Sequence, residues 1–109
     1  MVDIALLGAT GFTGSLTADY LGGHLPTTAT WAIAGRNAAK LKSIADRIEG
    51  NGGVRPQVLE ADVRDETSMA ALAAQTRVLI TTVGPYLQHG EAAVKACAEA
   101  GIAYVDLTG

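Results

Sequence analysis

A run of glycines follows the first apolar segment of the chain, and its spacing is typical of a loop that binds a diphosphate. The run is Gly8-Ala9-Thr10-Gly11-Phe12-Thr13-Gly14. A diphosphate binds to backbone N–H groups at the start of a helix, and a side chain at the turn would hold its oxygens too far away. We expect Gly8 to allow the sharp exit from the strand, Gly11 the approach of the ligand, and Gly14 the packing of helix against sheet. The N–H groups of Phe12 and Thr13 would then face phosphate.

The glycine spacing by itself is a weak signal, because a tight strand-to-helix turn that binds nothing would use the same residues. The alternation of strand-like and helix-like segments around it favours the binding interpretation. The spacing is one residue longer than the common dinucleotide fingerprint. A phosphate-hydrolysing P-loop is disfavoured, since no Gly-Lys-Ser or Gly-Lys-Thr follows to contact a terminal phosphate and Mg²⁺.

The second apolar segment ends in Gly35-Arg36-Asn37, where a protein that prefers NAD normally places a carboxylate for the ribose 2′-hydroxyl. A guanidinium at this point can bind a 2′-phosphate through two parallel charge-assisted hydrogen bonds. We therefore predict that the cofactor is NADP(H) and place Arg36 and Asn37 among the cofactor-binding residues. The alternative is that Arg36 is an ordinary solvated residue at a helix start, where the helix dipole mildly disfavours it.

Composition and charge exclude several other classes of function. Of the 109 residues, 49% are hydrophobic, and 8 basic residues against 11 acidic ones give a net charge of −3 without any run of like charges, so no nucleic-acid partner is expected. Cys97, His24 and His89 cannot form an internal disulfide or a structural zinc site, and no metal is predicted. The first residues have neither the basic region nor the long apolar run expected of a signal peptide, and no stretch approaches the roughly 18 apolar residues of a membrane span. We expect a cytoplasmic protein.

Five short apolar segments alternate with longer segments of helical period, a pattern typical of βα units around a parallel sheet. Because crossovers are right-handed, the pattern predicts an α/β fold, a Rossmann-type doubly wound parallel sheet in strand order 3-2-1-4-5. At this length the chain can bury one core, so residues 1–109 are predicted to form a single dinucleotide-binding domain. The predicted strands are Ile4–Leu7, Trp31–Ala34, Gln57–Leu59, Val78–Thr81 and Ala103–Val105.

Each predicted helix has an apolar stripe that we expect to face the sheet. The small side chains on the last of these helices would let its axis lie close to the strands. The stripes are Leu16, Tyr20 and Leu21 on the first helix, Leu41, Ile44, Ala45 and Ile48 on the second, Met69, Leu72 and Ala73 on the third, and Ala93, Ala96, Cys97 and Ala100 on the fourth.

Two later segments complete a set of motifs that resembles a known family. They are Val83-Gly84-Pro85-Tyr86, followed by Gly90-Glu91, and Tyr104-Val105-Asp106-Leu107-Thr108-Gly109. Together with the glycine loop and Ala34–Arg36, they resemble the saccharopine-dehydrogenase-like NADP-binding domains, and among these the trans-acting enoyl reductases of actinobacterial lipid synthesis. Short-chain dehydrogenases typically have an Asn-Ala-Gly type of turn after the fourth strand. The resemblance covers the whole chain.

The resemblance and the predicted topology suggest further site residues. Val83, Gly84 and Pro85 follow the fourth strand at the topological switch point, where the nicotinamide end of a cofactor should arrive. By resemblance, the Asp62 carboxylate contacts the adenine amino group and the Val63 backbone contacts the ring. A competing interpretation makes Asp62 or Asp65 the cap of the third helix.

Enzymes of this family are several times longer, and in them a second domain holds the substrate. The resemblance therefore implies that this chain is the cofactor-binding half of an NADP-dependent reductase and performs no turnover alone. The reaction implied is hydride transfer to an enoyl or related C=C or C=N substrate, either a small molecule or lipid-linked. Alternatives are a fragment of an extended short-chain reductase or epimerase, and a non-catalytic NADP-sensing module.

No catalytic residue is assigned from the sequence. A Tyr-x-x-x-Lys dyad would supply a proton donor, but none of the tyrosines is followed by lysine four residues later. A sheet that stops after its fifth strand leaves Tyr104 to Leu107 without a neighbour on one side. We expect self-association through this exposed sheet edge.

Overall fold

A computed structural model describes residues 1–82 and 91–106 of the chain. Each predicted strand is present, and the first and fourth each begin two residues earlier than their apolar segments suggest. The strands are β1 (Val2–Leu7), β2 (Trp31–Gly35), β3 (Gln57–Glu60), β4 (Thr76–Thr81) and β5 (Ala103–Asp106). The helices are α1 (Phe12–His24), α2 (Ala38–Gly50), α3 (Glu66–Ala74) and α4 (Glu91–Ala100).

The strands form one parallel sheet in the order β3-β2-β1-β4-β5, which confirms the predicted doubly wound topology. In the register of the sheet, Leu7 at the end of β1 lies between Ala34 of β2 and Thr81 of β4. The strand order reverses between β1 and β4. The carboxyl ends of β1, β2 and β4 therefore meet at one edge of the sheet, at the topological switch point where ligands of such folds bind.

Alternating strand residues divide the buried side chains between the two faces of the sheet. On one face, Leu6 and Ile33 pack with the buried residues of α2. On the other, Ala5, Ala32 and Leu79 pack with buried residues of α3 and α4. The predicted stripes of α2 and α3 are buried in full, and that of α4 is buried except for Ala100, which is exposed.

The prediction for α1 was wrong for two of its three residues, whereas the third, Leu21, is half-buried and packs against the core. Leu16 and Tyr20 are 57% and 62% exposed, and the buried residues of this helix are Gly14, Ala18 and Gly22. A Cβ atom at Gly14 would overlap the carbonyl of Gly8, and one at Gly22 would overlap the side chain of Ile48. The helix lies so close to its neighbours that only small residues fit at these points, and Leu16 and Tyr20 turn outward.

Candidate functional site

The glycine loop connects β1 to α1 in a conformation that requires two of its glycines. Gly8 has a φ of 100°, in the left-handed region that favours glycine. Its carbonyl accepts a hydrogen bond from the N–H of Gly11 at 3.1 Å, which closes the turn. Gly14 provides the contact between helix and loop described above. The fold itself therefore accounts for Gly8 and Gly14, without any ligand.

Gly11 has no such structural reason to be glycine. Its φ of −80° is open to any residue, and a Cβ atom there would lie 3.6 Å from the Gly8 carbonyl oxygen, an ordinary van der Waals contact. The space that a side chain at this position would occupy lies outside the packed interior. A glycine here keeps the front of the loop open to a ligand.

The start of α1 differs from the starts of the next two helices. Asn37 caps α2 by accepting from the N–H of Lys40 at 3.1 Å, and Asp65 caps α3 by accepting from the N–H of Thr67 at 2.9 Å. The N-cap of α1 is Gly11, which has no side chain to accept a hydrogen bond. Within residues 1–82 and 91–106, no group accepts from the N–H of Phe12 or Thr13. These two donors lie at the positive end of the helix dipole and are suited to an anion.

A cleft runs along the carboxyl edge of the sheet, from the glycine loop to the start of α3. We call it the carboxyl-edge cleft. It consists of an inner pocket of about 170 Å³ beside the glycine loop and an outer pocket of about 290 Å³ beside the start of α3, which share Arg36 and Ala61. Its lining residues are Leu7, Gly8, Thr10, Ala34, Gly35, Arg36, Glu60, Ala61, Asp62, Val63 and Ser68.

Arg36 is exposed and lies where the two pockets join. In the part of the chain that the structure describes, its side chain forms no hydrogen bond or ion pair, although its charge helps to lower the pKa of Asp62. The neighbouring Asn37 uses its side-chain oxygen to cap α2. The guanidinium is therefore available to an anion in the cleft.

The structure also distinguishes the roles of Asp62 and Asp65. Asp65 is the N-cap of α3, whereas Asp62 accepts from the N–H of Arg64 at 2.9 Å and lies 3.4 Å from the Arg64 Nε. These hydrogen bonds from Arg64, together with the positive charges of Arg64 and Arg36, hold the pKa of Asp62 below its usual range. Ser68 accepts from the N–H of Asp62 at 2.9 Å and fixes its backbone. An ionised carboxylate thus lines the outer pocket of the cleft.

Sequence reasoning missed Thr82, which follows β4 directly and contacts the glycine loop. Its N–H donates to the carbonyl of Leu7 at 3.0 Å, and its hydroxyl lies 3.3 Å from the carbonyl oxygens of both Leu7 and Gly8. Its position in the sequence could have indicated this contact, because a residue directly after β4 lies beside the end of β1 at the topological switch point. Ser68 offered no comparable signal.

The remaining predicted site residues fall into two groups. Ala9 is buried in the core and is not among the residues that line the cleft, whereas Thr10 and Val63 line it. Val83, Gly84 and Pro85 lie outside the described residues.

We also searched residues 1–82 and 91–106 for a metal site, a reactive thiol and a membrane-spanning helix. They include no group of three His, Cys, Asp or Glu side chains that could hold a metal ion. Burial raises the pKa of the Cys97 thiol, which disfavours the nucleophilic thiolate. None of the helices in these ranges has the length and apolar character that crossing a membrane requires.

Comparison with known proteins identifies relatives along nearly the whole chain. The family model described as saccharopine dehydrogenase NADP binding domain matches residues 4–109. A trans-acting enoyl reductase of Mycobacterium tuberculosis (strain ATCC 25177 / H37Ra) is 45% identical over 107 residues, which cover 98% of this chain and 25% of the relative. One from Mycobacterium leprae is 41% identical over the same length, with the same coverage. The chain thus spans about a quarter of the length of these relatives.

Solved structures support the fold. Apo saccharopine dehydrogenase (L-Glu forming) from Saccharomyces cerevisiae superposes with a TM-score of 0.76 at 23% identity, over 97% of this chain and 21% of that one. A short-chain dehydrogenase/reductase from Veillonella parvula, solved in complex with NADP, gives a TM-score of 0.71 at 18% identity, over 97% of this chain and 47% of the other. At these identities the likeness concerns the fold alone.

Proposed function

Because the chain belongs to the family of saccharopine dehydrogenase NADP-binding domains, we propose that its carboxyl-edge cleft is the site that holds NADP(H). One observation supports this above all. Two groups suited to anions, the free N–H groups at the start of α1 and the Arg36 guanidinium, follow adjacent strands, and the loop that leads into α1 lines the same pocket as Arg36. A dinucleotide with a diphosphate in its middle and a phosphate on one ribose needs anion sites of this kind.

The diphosphate would lie on the glycine loop. The N–H groups of Phe12 and Thr13 would donate to its oxygens, and the dipole of the 13-residue helix α1 would stabilise the negative charge. Gly11 would leave the space in front of these donors empty. Thr10, exposed at the mouth of the inner pocket, would contact the same part of the cofactor.

The 2′-phosphate would bind to Arg36. A planar guanidinium presents paired N–H donors that match phosphate oxygens, and it stays charged at every physiological pH. Asp62 lines the same outer pocket, but its hydrogen bonds with Arg64 leave Arg36 accessible. Lys40, exposed one turn into α2, would add a second positive charge near this end of the cofactor.

The adenine ring would lie where the two pockets adjoin, between Asp62 of the outer pocket and Val63 of the inner pocket. The Asp62 carboxylate, which is not used as a helix cap, would accept a hydrogen bond from the adenine amino group. The Val63 backbone would contact the ring. Ser68 would act through Asp62, because its hydroxyl accepts from the Asp62 N–H and so fixes the position of this backbone.

In the complete protein we propose an NADP-dependent reductase, since relatives that match nearly all of this chain are named trans-acting enoyl reductases. Bound NADPH supplies a hydride, and the residues described here bind and orient it. The acceptor would be a C=C bond of a small or lipid-linked substrate. We propose that residues beyond this domain bind that substrate, and that the reductase works in the cytoplasm.

The titration of the isolated chain with NADPH and NADH tests this proposal. We expect NADPH to bind more tightly, and Arg36→Asp to weaken NADPH binding by about 1.5 to 3 kcal/mol, the scale of hydrogen bonds to charged groups. The same substitution should change the affinity for NADH little. Arg77→Asp is the control, because it makes the same charge change at an exposed side chain near Asp3, at the opposite edge of the sheet.

Calorimetry measures all of these affinities. Equal affinity of the parent chain for the two cofactors would exclude Arg36 as the 2′-phosphate ligand. Failure to bind either cofactor would exclude the cleft as an NADP(H) site.

A further inference from the structure

Thr82 ties the end of β4 to the glycine loop through the carbonyl groups of Leu7 and Gly8. The Thr82 hydroxyl lies 3.3 Å from the Gly8 carbonyl oxygen, which also accepts the N–H of Gly11 at 3.1 Å. The hydroxyl is equally distant from the Leu7 carbonyl oxygen, at 3.3 Å. The Gly8 carbonyl is therefore held from two sides, once from within the loop and once from the neighbouring strand.

Regular strand pairing cannot hold the loop in this position. The β1–β4 register ends with Leu7 opposite Thr81, and one further backbone bond joins the Thr82 N–H to Leu7. At Gly8 the chain turns away into the left-handed region, out of reach of the ladder. From this point the Thr82 side chain replaces the backbone as the contact between β4 and the loop.

The same hydroxyl lies against the start of α1. A Cβ atom built on Gly14 would come within 2.7 Å of the Thr82 Oγ1, so the helix packs directly over this side chain. Thr82 is half-buried. It contacts the chain at Gly8, directly after β1, and at Gly14, in the first turn of α1. The N–H groups of Phe12 and Thr13 lie in the segment between these two contacts.

We propose that Thr82 is a positioning residue for the cofactor diphosphate, a role that rests on the proposed function of the cleft. Its hydroxyl donates to the Gly8 carbonyl and fixes the plane of that peptide. The fixed peptide holds the acceptor of the Gly11 N–H in place. It therefore also fixes the direction of the N–H groups of Phe12 and Thr13, which follow in the chain. A preorganised loop does not lose conformational freedom when the ligand binds, so affinity rises.

Two substitutions separate the hydroxyl from the volume of the side chain. Thr82→Val keeps the shape and removes the donor, whereas Thr82→Ser keeps the donor and removes a methyl group. We expect Thr82→Val to bind NADPH about 3- to 10-fold more weakly, the loss typical of one neutral hydrogen bond. Thr82→Ser should bind within about twofold of the parent chain, because the same hydrogen bond remains.

Adenosine 2′-monophosphate serves as a second ligand, because it has the adenine and the 2′-phosphate but no diphosphate. Its affinity should be the same in the parent chain and in Thr82→Val. If Thr82 only supported the fold, both ligands would weaken together. Equal NADPH binding by parent and Thr82→Val, or a parallel loss for both ligands, would overturn the positioning role.

Hydrogen exchange gives a measurement that needs no ligand. The Gly11 N–H should exchange faster in Thr82→Val than in the parent or Thr82→Ser, because its acceptor is no longer fixed. Unchanged exchange would overturn the proposal. If the parent chain binds no NADPH, the function proposed for the cleft fails and the diphosphate role with it, while faster exchange at Gly11 would still show that the hydroxyl orders the loop.

Discussion

At the scale of single residues, the glycine loop separates what folding requires from what binding requires. Gly8 is held in a left-handed conformation and Gly14 in a contact that excludes any side chain. Gly11 meets neither condition, with an ordinary φ and only a 3.6 Å contact for an added Cβ. A substitution at Gly11 therefore tests the ligand site without testing the fold.

We expect Gly11→Val to fold like the parent chain and to lose NADPH binding, because the isopropyl group occupies the space of the diphosphate. Gly23→Ala is the matched control. A Cβ at Gly23 has no atom within 4 Å, and the residue lies near the end of α1, so NADPH affinity should stay unchanged.

Circular dichroism measures the fold of each variant and calorimetry its affinity. If Gly11→Val bound NADPH as the parent does, the glycine loop would be a simple turn and the ligand would bind elsewhere.

At the scale of elements, the start of α3 has two nearby carboxylates, one that caps the helix and one to which we assign a role in the proposed site. Asp65 accepts from the N–H groups of Thr67 and Ser68 and so caps α3. Asp62, three residues earlier, lines the carboxyl-edge cleft. Substitution of the two aspartates should therefore affect different properties.

Asp65→Ala should lower the free energy of unfolding by about 1 kcal/mol, the usual cost of losing an N-cap, and leave NADPH affinity unchanged. Asp62→Ala should weaken NADPH binding with a smaller effect on stability. Urea denaturation and calorimetry on both variants check this pair. If only Asp65→Ala lowered the affinity for NADPH, the assignment of the adenine contact to Asp62 would be wrong.

The elements and their order were predictable from sequence, but part of their packing was not. The buried stripes of α2 and α3 follow the helical period, and the period was sufficient to find them. On α1 the period indicated Leu16 and Tyr20, yet close approach to Gly8 and Ile48 selects the small residues instead. That approach depends on where neighbouring elements lie. The hydrogen bond from Thr82 to Gly8 joins residues 74 positions apart, a separation over which no local pattern is informative.

At the scale of the whole molecule, β5 is an outermost strand of the sheet that residues 1–82 and 91–106 form, and its residues Ala103, Val105 and Asp106 are exposed. Val105 is an apolar side chain, 40% exposed, on an outermost strand. Strands of this kind pair with other chains unless a charge or a covering element prevents it. We propose that the isolated domain self-associates through β5 and performs no reductase turnover.

Sedimentation at micromolar concentration should show dimers or larger species, and Val105→Lys should shift them toward monomer, because a lysine on an edge strand opposes pairing. Val94→Lys is the control, since this valine is 48% exposed on α4 rather than on the sheet edge. A monomeric parent chain that also oxidised NADPH with an enoyl substrate at ordinary enzyme rates would contradict both expectations.

The position of the single tryptophan has an optical consequence. Trp31 is 1% exposed, and its indole N–H donates to the Val54 carbonyl at 2.7 Å. It begins β2, three residues before Ala34, which lines the carboxyl-edge cleft, so about 10 Å of strand separates the two. Reduced nicotinamide absorbs where indole emits and oxidised nicotinamide does not. NADPH should therefore quench the fluorescence of this buried tryptophan more than NADP⁺ does, and the chain contains its own reporter of cofactor binding and redox state.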